Sequence, residues 1–121
     1  MQRILTYCLA AIFLFSGGAK LAGLDFEVRA FERWGYPPAF MYLTGVLEVA
    51  GAIGLFVKPL KALAAACLAL LMIGAVGTHM VFAEWPMMIM ASIILLAAAA
   101  RAWLGRAEIA ALPDRLRGIA G

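Results

Sequence analysis

Four apolar runs dominate the chain. Residues 4–24, 39–57, 62–83 and 87–104 are almost uninterrupted Leu, Ile, Val, Ala, Met, Phe and Gly. Crossing a hydrocarbon layer of roughly 30 Å takes about 20 helical residues at about 1.5 Å each, so each run predicts one transmembrane helix. The breaks between them are chemically marked. Pro37-Pro38 opens the second run, because proline suits a first helical turn and drives its predecessor out of the helix. The basic turn Lys58-Pro59-Leu60-Lys61 separates the second and third, and Trp85-Pro86 precedes the fourth. Arg101 interrupts the fourth run near its end, where a long side chain is expected to snorkel to the headgroups. Arg3 ahead of an apolar stretch resembles a signal peptide. Three further runs and the lack of a small-residue cleavage motif favour an uncleaved helix. The expected fold is all-α, a single membrane domain built as a four-helix bundle.

The polar segments carry helical periodicity of their own. In residues 25–36, Phe26, Ala30, Phe31 and Trp34 share one arc, while Asp25, Arg29, Glu32 and Arg33 share the opposite one. Asp25 can cap such a helix, Gly35 can end it, and Asp25 and Arg29 are spaced for a favourable pair. The pattern predicts a short helix in the membrane interface, with an ordered irregular loop as the alternative. In residues 105–121, Ile109, Leu112, Leu116 and Ile119 recur at helical spacing among arginines. This tail is expected either to lie on an anionic leaflet, broken at Pro113, or to fray.

Composition fixes the solvent. The 121 residues are 66% hydrophobic and 14% charged, with a mean hydropathy of +0.99. An average soluble domain is about 45–50% apolar and about 25% charged, and a chain this short cannot bury the excess. The lipid bilayer is therefore the expected partner. The net charge of +3 does not indicate nucleic acid, because the cations flank apolar runs instead of forming one stripe. Four spans put both termini on one side, together with Arg3, Lys58, Lys61, Arg101, Arg106, Arg115 and Arg117. The other side has Lys20, Arg29 and Arg33, offset by Asp25, Glu27, Glu32 and Glu84. The positive-inside rule then places both termini in the cytoplasm. Trp34, Tyr36 and Trp85 at the outer boundary and Trp103 at the inner one are expected to be interface anchors.

Three ionisable residues inside the runs are the candidate chemistry: Lys20, Glu48 and His79. A charge at mid-bilayer costs about 2.5–3.5 kcal/mol on insertion scales, so such residues mark pockets or proton paths by default. All three fall in the outer half. Ser16, Gly17 and Lys20 share a helical face, as do Thr44, Gly45, Glu48, Gly51 and Ala52, and Ala75, Thr78 and His79. A pocket holding Lys20, Glu48 and His79, with Thr44 and Thr78 beside them, is the functional reading. Each residue also has an ordinary one: Lys20 reaching outward to headgroups, Glu48 hydrogen-bonded between helices, His79 a satisfied core imidazole. Glu84, in the tight outer turn, is expected to be solvated. Cys8 and Cys67 are expected to be buried apolar residues, and no C-x-x-C or Cys/His spacing suggests a metal site. The pairs Gly17/Gly18 and Gly74/Gly77 are expected to pack helices. No Walker loop, dinucleotide fingerprint, G-x-S-x-G or H-E-x-x-H occurs.

At four blocks the chain resembles the DoxX and DoxX-like membrane proteins: FSGGAKL at 15–21, WGYP at 34–37, GVLEVAG at 45–51 and GAVGTH at 74–79. The likeness runs from about residue 4 to residue 104 and keeps the order and spacing of the blocks. It implies a four-helix protein of the bacterial inner membrane. Some relatives are linked to thiosulfate:quinone oxidoreduction or to membrane complexes handling oxidative and thiol stress. Others are grouped with proteins of periplasmic disulfide formation, a role for which this chain lacks a suitable cysteine pair. The resemblance assigns no catalytic role to Lys20, Glu48 or His79.

Three functions compete. The first is a subunit of a quinone-linked redox complex, with no covalent cofactor, a bound quinone, and electrons exchanged with a soluble redox subunit. Here Glu48 and His79 would carry protons and Lys20 would stabilise a reduced anion. The second is a small proton-coupled transporter, which would need a homo-oligomer. The third is a non-catalytic membrane scaffold or anchor whose polar residues fix helix register.

Overall fold

The computed structural model describes residues 2–120, and the side chains of residues 2–118. Ile119, expected on the apolar face of the tail, lies outside the described side chains. The elements are α1 (Gln2–Leu21), α2 (Asp25–Trp34), α3 (Pro38–Gly54), a single 3₁₀ turn (Lys58–Leu60), α4 (Lys61–Val81), α5 (Trp85–Leu104) and α6 (Arg106–Ala120). No strand occurs among the described residues. Three stretches, Gln2–Leu21, Lys58–Val81 and Trp85–Leu104, are long and apolar enough to cross a membrane, while α3 is a shorter apolar helix. The expected second run continues to residue 57, but helix α3 stops at Gly54. Residues 55–57 form turns that lead into the 3₁₀ turn at Lys58–Leu60.

Both ends of α2 are set by glycine. At Gly23 (φ 65) the chain leaves α1, and Leu24 returns an N–H to the Ala19 carbonyl at 3.1 Å. At Gly35 (φ 78) the N–H bonds Glu32 O at 3.0 Å, and that of Tyr36 bonds Phe31 O at 2.9 Å. This is the left-handed stop that glycine adopts without steric cost. Asp25 does not cap the helix. The cap position is Leu24, with no side-chain bond, and Asp25 is already helical. It still favours the positive N-terminal end of the dipole, but it makes no ion pair with Arg29. Helix α6 is not broken at Pro113, which lies inside it. Proline removes one intrahelical hydrogen bond, yet the helix continues through this exposed position.

Helix α1 packs mainly on α3, and α4 on α5, with α3 joined to α4. Neighbours run antiparallel. Gln2 Nε2 at the start of α1 donates to Leu104 O at the end of α5 (3.2 Å), and Tyr7 stacks on Phe56 with centroids 6.1 Å apart. Leu9, Ala10, Phe13, Ala52, Leu55, Ala64, Ala65, Leu68 and Ala98 form the shared core. Its alanines allow the close backbone approach that holds helices together where lipid supplies no hydrophobic drive. Large apolar side chains such as Phe15 (74% exposed) and Val81 (78%) point outward instead. Cys8 and Cys67 are on this outer surface as free thiols, not buried as expected; they fall on faces that meet no neighbouring helix.

Only one member of the expected glycine pairs packs helices. A Cβ on Gly17 would sit 2.7 Å from Val49 Cγ2 and 2.8 Å from the Gly45 carbonyl oxygen, so α1 and α3 touch there through backbone. Gly18, Gly74 and Gly77 face open space. Gly17→Ala should therefore lower stability by about 1–3 kcal/mol through overpacking. Gly18→Ala, one residue away, should raise it by up to about 1 kcal/mol through helix propensity. Thermal unfolding in detergent micelles checks the pair, and equal behaviour of the two variants would remove the close contact.

Candidate functional site

Lys20, the penultimate residue of α1, is turned inward and is only 9% exposed. Its ammonium lies 2.8 Å from Glu27 Oε2 on α2, 2.8 Å from Glu48 Oε1 on α3, and donates to Ser16 Oγ at 2.8 Å. An ammonium has three donors, and three oxygens surround it. It does not reach outward, because the two carboxylates hold it, and it has no donor left to offer a ligand. Glu48 is 2% exposed, and its second oxygen, Oε2, is buried without a hydrogen-bond partner.

His79 and Glu84 form a second group. Ala83, at φ 56, takes the left-handed conformation that alanine rarely adopts. This tight bend brings Glu84 back onto the end of α4, with its N–H on the His79 carbonyl at 2.9 Å. Glu84 is not simply solvated, as the sequence suggested. Its Oε1 meets His79 Nδ1 at 2.9 Å and accepts from Trp34 Nε1 at 3.0 Å, while Oε2 accepts from Arg33 Nε at 3.1 Å and from Arg33 Nη2. Burial pushes the Glu84 carboxyl up. The hydrogen bonds from His79, Arg33 and Trp34 and the Arg33 charge outweigh it, holding the pKa below its ordinary value of 4.5. An ionised Glu84 only accepts, so Nδ1 of His79 donates this hydrogen bond, and Nε2 is an acceptor whenever the ring carries a single proton.

Members of both groups line one cavity of about 390 Å³. Lys20, Glu27, Glu48, Thr44, Thr78 and His79 are among its walls, with Leu70, Leu71, Met87, Met90 and Ile94 as an apolar side. The geometry brings Lys20, Glu48, His79, Thr44 and Thr78 together, but Glu48 does not pair with His79. Each has its own charged neighbour. Thr44 donates to its own helix at Phe40 O (2.8 Å). Thr78 donates to Gly74 O (3.0 Å), so the 2.9 Å contact with Tyr36 is donated by the tyrosine hydroxyl. Among the expected anchors, Trp34 and Tyr36 line the cavity, within an aromatic cluster where Phe31–Trp34 centroids are 5.1 Å apart and Tyr36–Phe40 centroids 5.0 Å. Trp85 and Trp103 are exposed at opposite ends of α5. Among the described residues, no three His, Cys, Asp or Glu side chains gather to hold a metal ion.

The family model described as DoxX-like matches residues 4–101. The chain belongs to the DoxX-like family. It is also similar to an uncharacterised protein, YdgD, of Bacillus subtilis (strain 168), with 33% identity over 85 residues that cover 66% of this chain and 75% of the relative. No solved structure matches. Family membership together with the apolar helices makes this DoxX-like chain a membrane protein.

Sequence reading of the DoxX-like chain missed two residues of the site. Glu27 lies on the Ala30, Phe31 and Trp34 face of α2 by its i, i+3, i+4, i+7 spacing, which was the available signal. Glu84 had no periodic signal, because a left-handed alanine is not legible in sequence. The Glu84 network makes a pH prediction. A carboxylate whose folded pKa is depressed stabilises the fold above its ordinary pKa, and that stability is lost as pH falls through the folded pKa. The unfolding temperature of the native protein should exceed that of Glu84→Gln at pH 6, with the gap closing as pH drops below 4.5. A gap independent of pH would mean that the carboxylate charge contributes nothing.

Proposed function

We propose that this DoxX-like protein spans the bacterial inner membrane four times as a helical bundle with cytoplasmic termini. In this reading it is the membrane subunit of a redox complex whose cavity binds a quinone-class ligand. The observation that carries the reading is Glu48, a residue of the wall of a mainly apolar cavity, whose Oε2 is buried without a partner. Buried polar atoms are satisfied in most native structures, so a free one beside a cavity invites a ligand donor. Ligand pockets are typically apolar with a few convergent polar groups, which is the composition here.

The residues fit such a group. Glu48 Oε2 and His79 Nε2 are the free acceptors for a ligand hydroxyl, and the methionine and leucine wall suits an apolar ring and tail. Glu84 orients His79 and supports the positive charge it gains on accepting a proton, a role that outer partners of histidine commonly take. A bound quinone would supply two-electron, two-proton chemistry, with the electrons exchanged with a soluble redox partner. Lys20 positions Glu48 and holds α2 over the cavity. The scaffold reading keeps one observation in its favour: Lys20 is saturated by its own helices.

Trp34 reports on the cavity directly. A short-chain quinol, kept reduced so that its hydroxyls can donate, should quench tryptophan fluorescence saturably when titrated into the purified protein, and Trp34→Phe should abolish most of that change. Glu48→Gln and His79→Gln should each weaken the apparent affinity about tenfold, the worth of one hydrogen bond of roughly 1.4 kcal/mol. Quenching that never saturates, or that ignores all three substitutions, would leave the scaffold reading in place.

A further inference from the structure

The opposite end of the helices holds a second site, unrelated to the cavity above. Arg101 was expected to snorkel outward; instead it is 2% exposed. It lies on the face of α5 that buries Ala91 and Ala98, so its stem follows the packed stripe inward. Nε donates to Thr6 Oγ1 at 2.8 Å. Its one carboxylate neighbour, Glu108 on α6, lies 3.8 Å from Nη2, beyond hydrogen-bond distance. Nη1 is buried with no acceptor at all. The guanidinium can occupy this place because residue 105 is glycine: a Cβ there would meet Nη1 at 2.6 Å. A buried guanidinium without enough acceptors is costly, and nothing within the described residues supplies the missing ones.

Arg101 forms part of the wall of a pocket of about 650 Å³, which Arg3, Lys58, Lys61, Arg115 and Glu108 also line. Five cations thus face one carboxylate. Among the described residues, Arg3, Lys58, Lys61 and Arg115 make no ion pair, and Glu108 Oε2 is itself buried without a partner. The walls come from the start of α1, the 3₁₀ turn, the first residue of α4, the end of α5 and the tail helix α6. Such a convergence of like charges repels itself unless an anion enters.

We infer that this pocket is a binding site for a phosphate-class oxyanion. A tetrahedral oxyanion supplies several acceptors at once, matching the guanidinium and ammonium donors of the residues that line the pocket. Its position where helix ends meet exposed apolar walls suits an anionic phospholipid headgroup, with α6 folded over it. A free phosphate offers the same chemistry.

The test is thermal unfolding of the purified protein in an uncharged detergent at fixed ionic strength. The probes are short-chain phosphatidylglycerol, short-chain phosphatidylcholine and inorganic phosphate. Phosphatidylglycerol should raise the unfolding temperature saturably while phosphatidylcholine does not, and Lys58→Gln and Arg115→Gln, each compared with its own lipid-free value, should each need several-fold more lipid. A response to phosphatidylglycerol alone identifies a lipid site, and an equal response to inorganic phosphate identifies a free-anion site. No response to either, equal stabilisation by phosphatidylcholine, or responses unchanged in both variants would overturn the inference.

Discussion

The ammonium of Lys20, set between Glu27 and Glu48, is the interaction on which the rest of the arrangement depends. It joins α1, α2 and α3 at 2.8 Å contacts, beside a cavity lined mainly by apolar side chains. Moving such charges out of water costs several kcal/mol per ion, even after relaxation. Mutual attraction offsets that cost only when geometry is close, and the Gly17–Gly45 contact supplies the closeness. A Cβ on Gly45 would lie 2.9 Å from Lys20 Cβ, so the glycine is what admits the lysine stem between the helices. Once Lys20 is held, α2 is drawn over the end of α1 and α3. The aromatic cluster of Phe31, Trp34, Tyr36 and Phe40 then closes one side of the cavity.

The polar chemistry of the molecule is divided between its two ends, with the alanine-rich core between them. At the α2 end, carboxylates outnumber the one buried lysine, and His79 is held by Glu84. At the α6 end, cations outnumber the one carboxylate, and Arg101 is held by Thr6. In both places a buried charged side chain retains an atom without a partner: Glu48 Oε2 at one end, Arg101 Nη1 at the other. The first asks for a hydrogen-bond donor and the second for an acceptor. The two sites therefore suit ligands of opposite character, and neither shares a lining residue with the other.

Much of this was legible in the sequence because helical periodicity and hydropathy act locally. The apolar runs located α1, α3, α4 and α5 within a few residues, and Gly35 marked the end of α2. The same reasoning selected Lys20, Glu48 and His79, since ionisable groups are conspicuous in apolar runs. It did not give their partners, which depend on which faces meet. Glu27 was assigned to no face although its spacing put it with Phe31 and Trp34. Glu84 depends on a left-handed Ala83 that no propensity anticipates. Arg101 was judged by its distance from the end of a run, when its spacing from Ala91 and Ala98 placed it on the buried stripe. Cys8 and Cys67 show the converse error: apolar surroundings in sequence mean burial in water, but in a membrane protein they also describe the outer surface.

A double-mutant cycle on Lys20→Met and Glu48→Gln tests the central interaction most directly, with unfolding followed in the same detergent for all four proteins. Removing one member of a buried pair leaves the other uncompensated, at a cost of about 3–5 kcal/mol, while removing both relieves part of that penalty. The arrangement predicts strong coupling, about 0.5–3 kcal/mol away from additivity, as for residues in contact. Additivity within about 0.5 kcal/mol would mean that Lys20 and Glu48 do not meet, and would contradict the account.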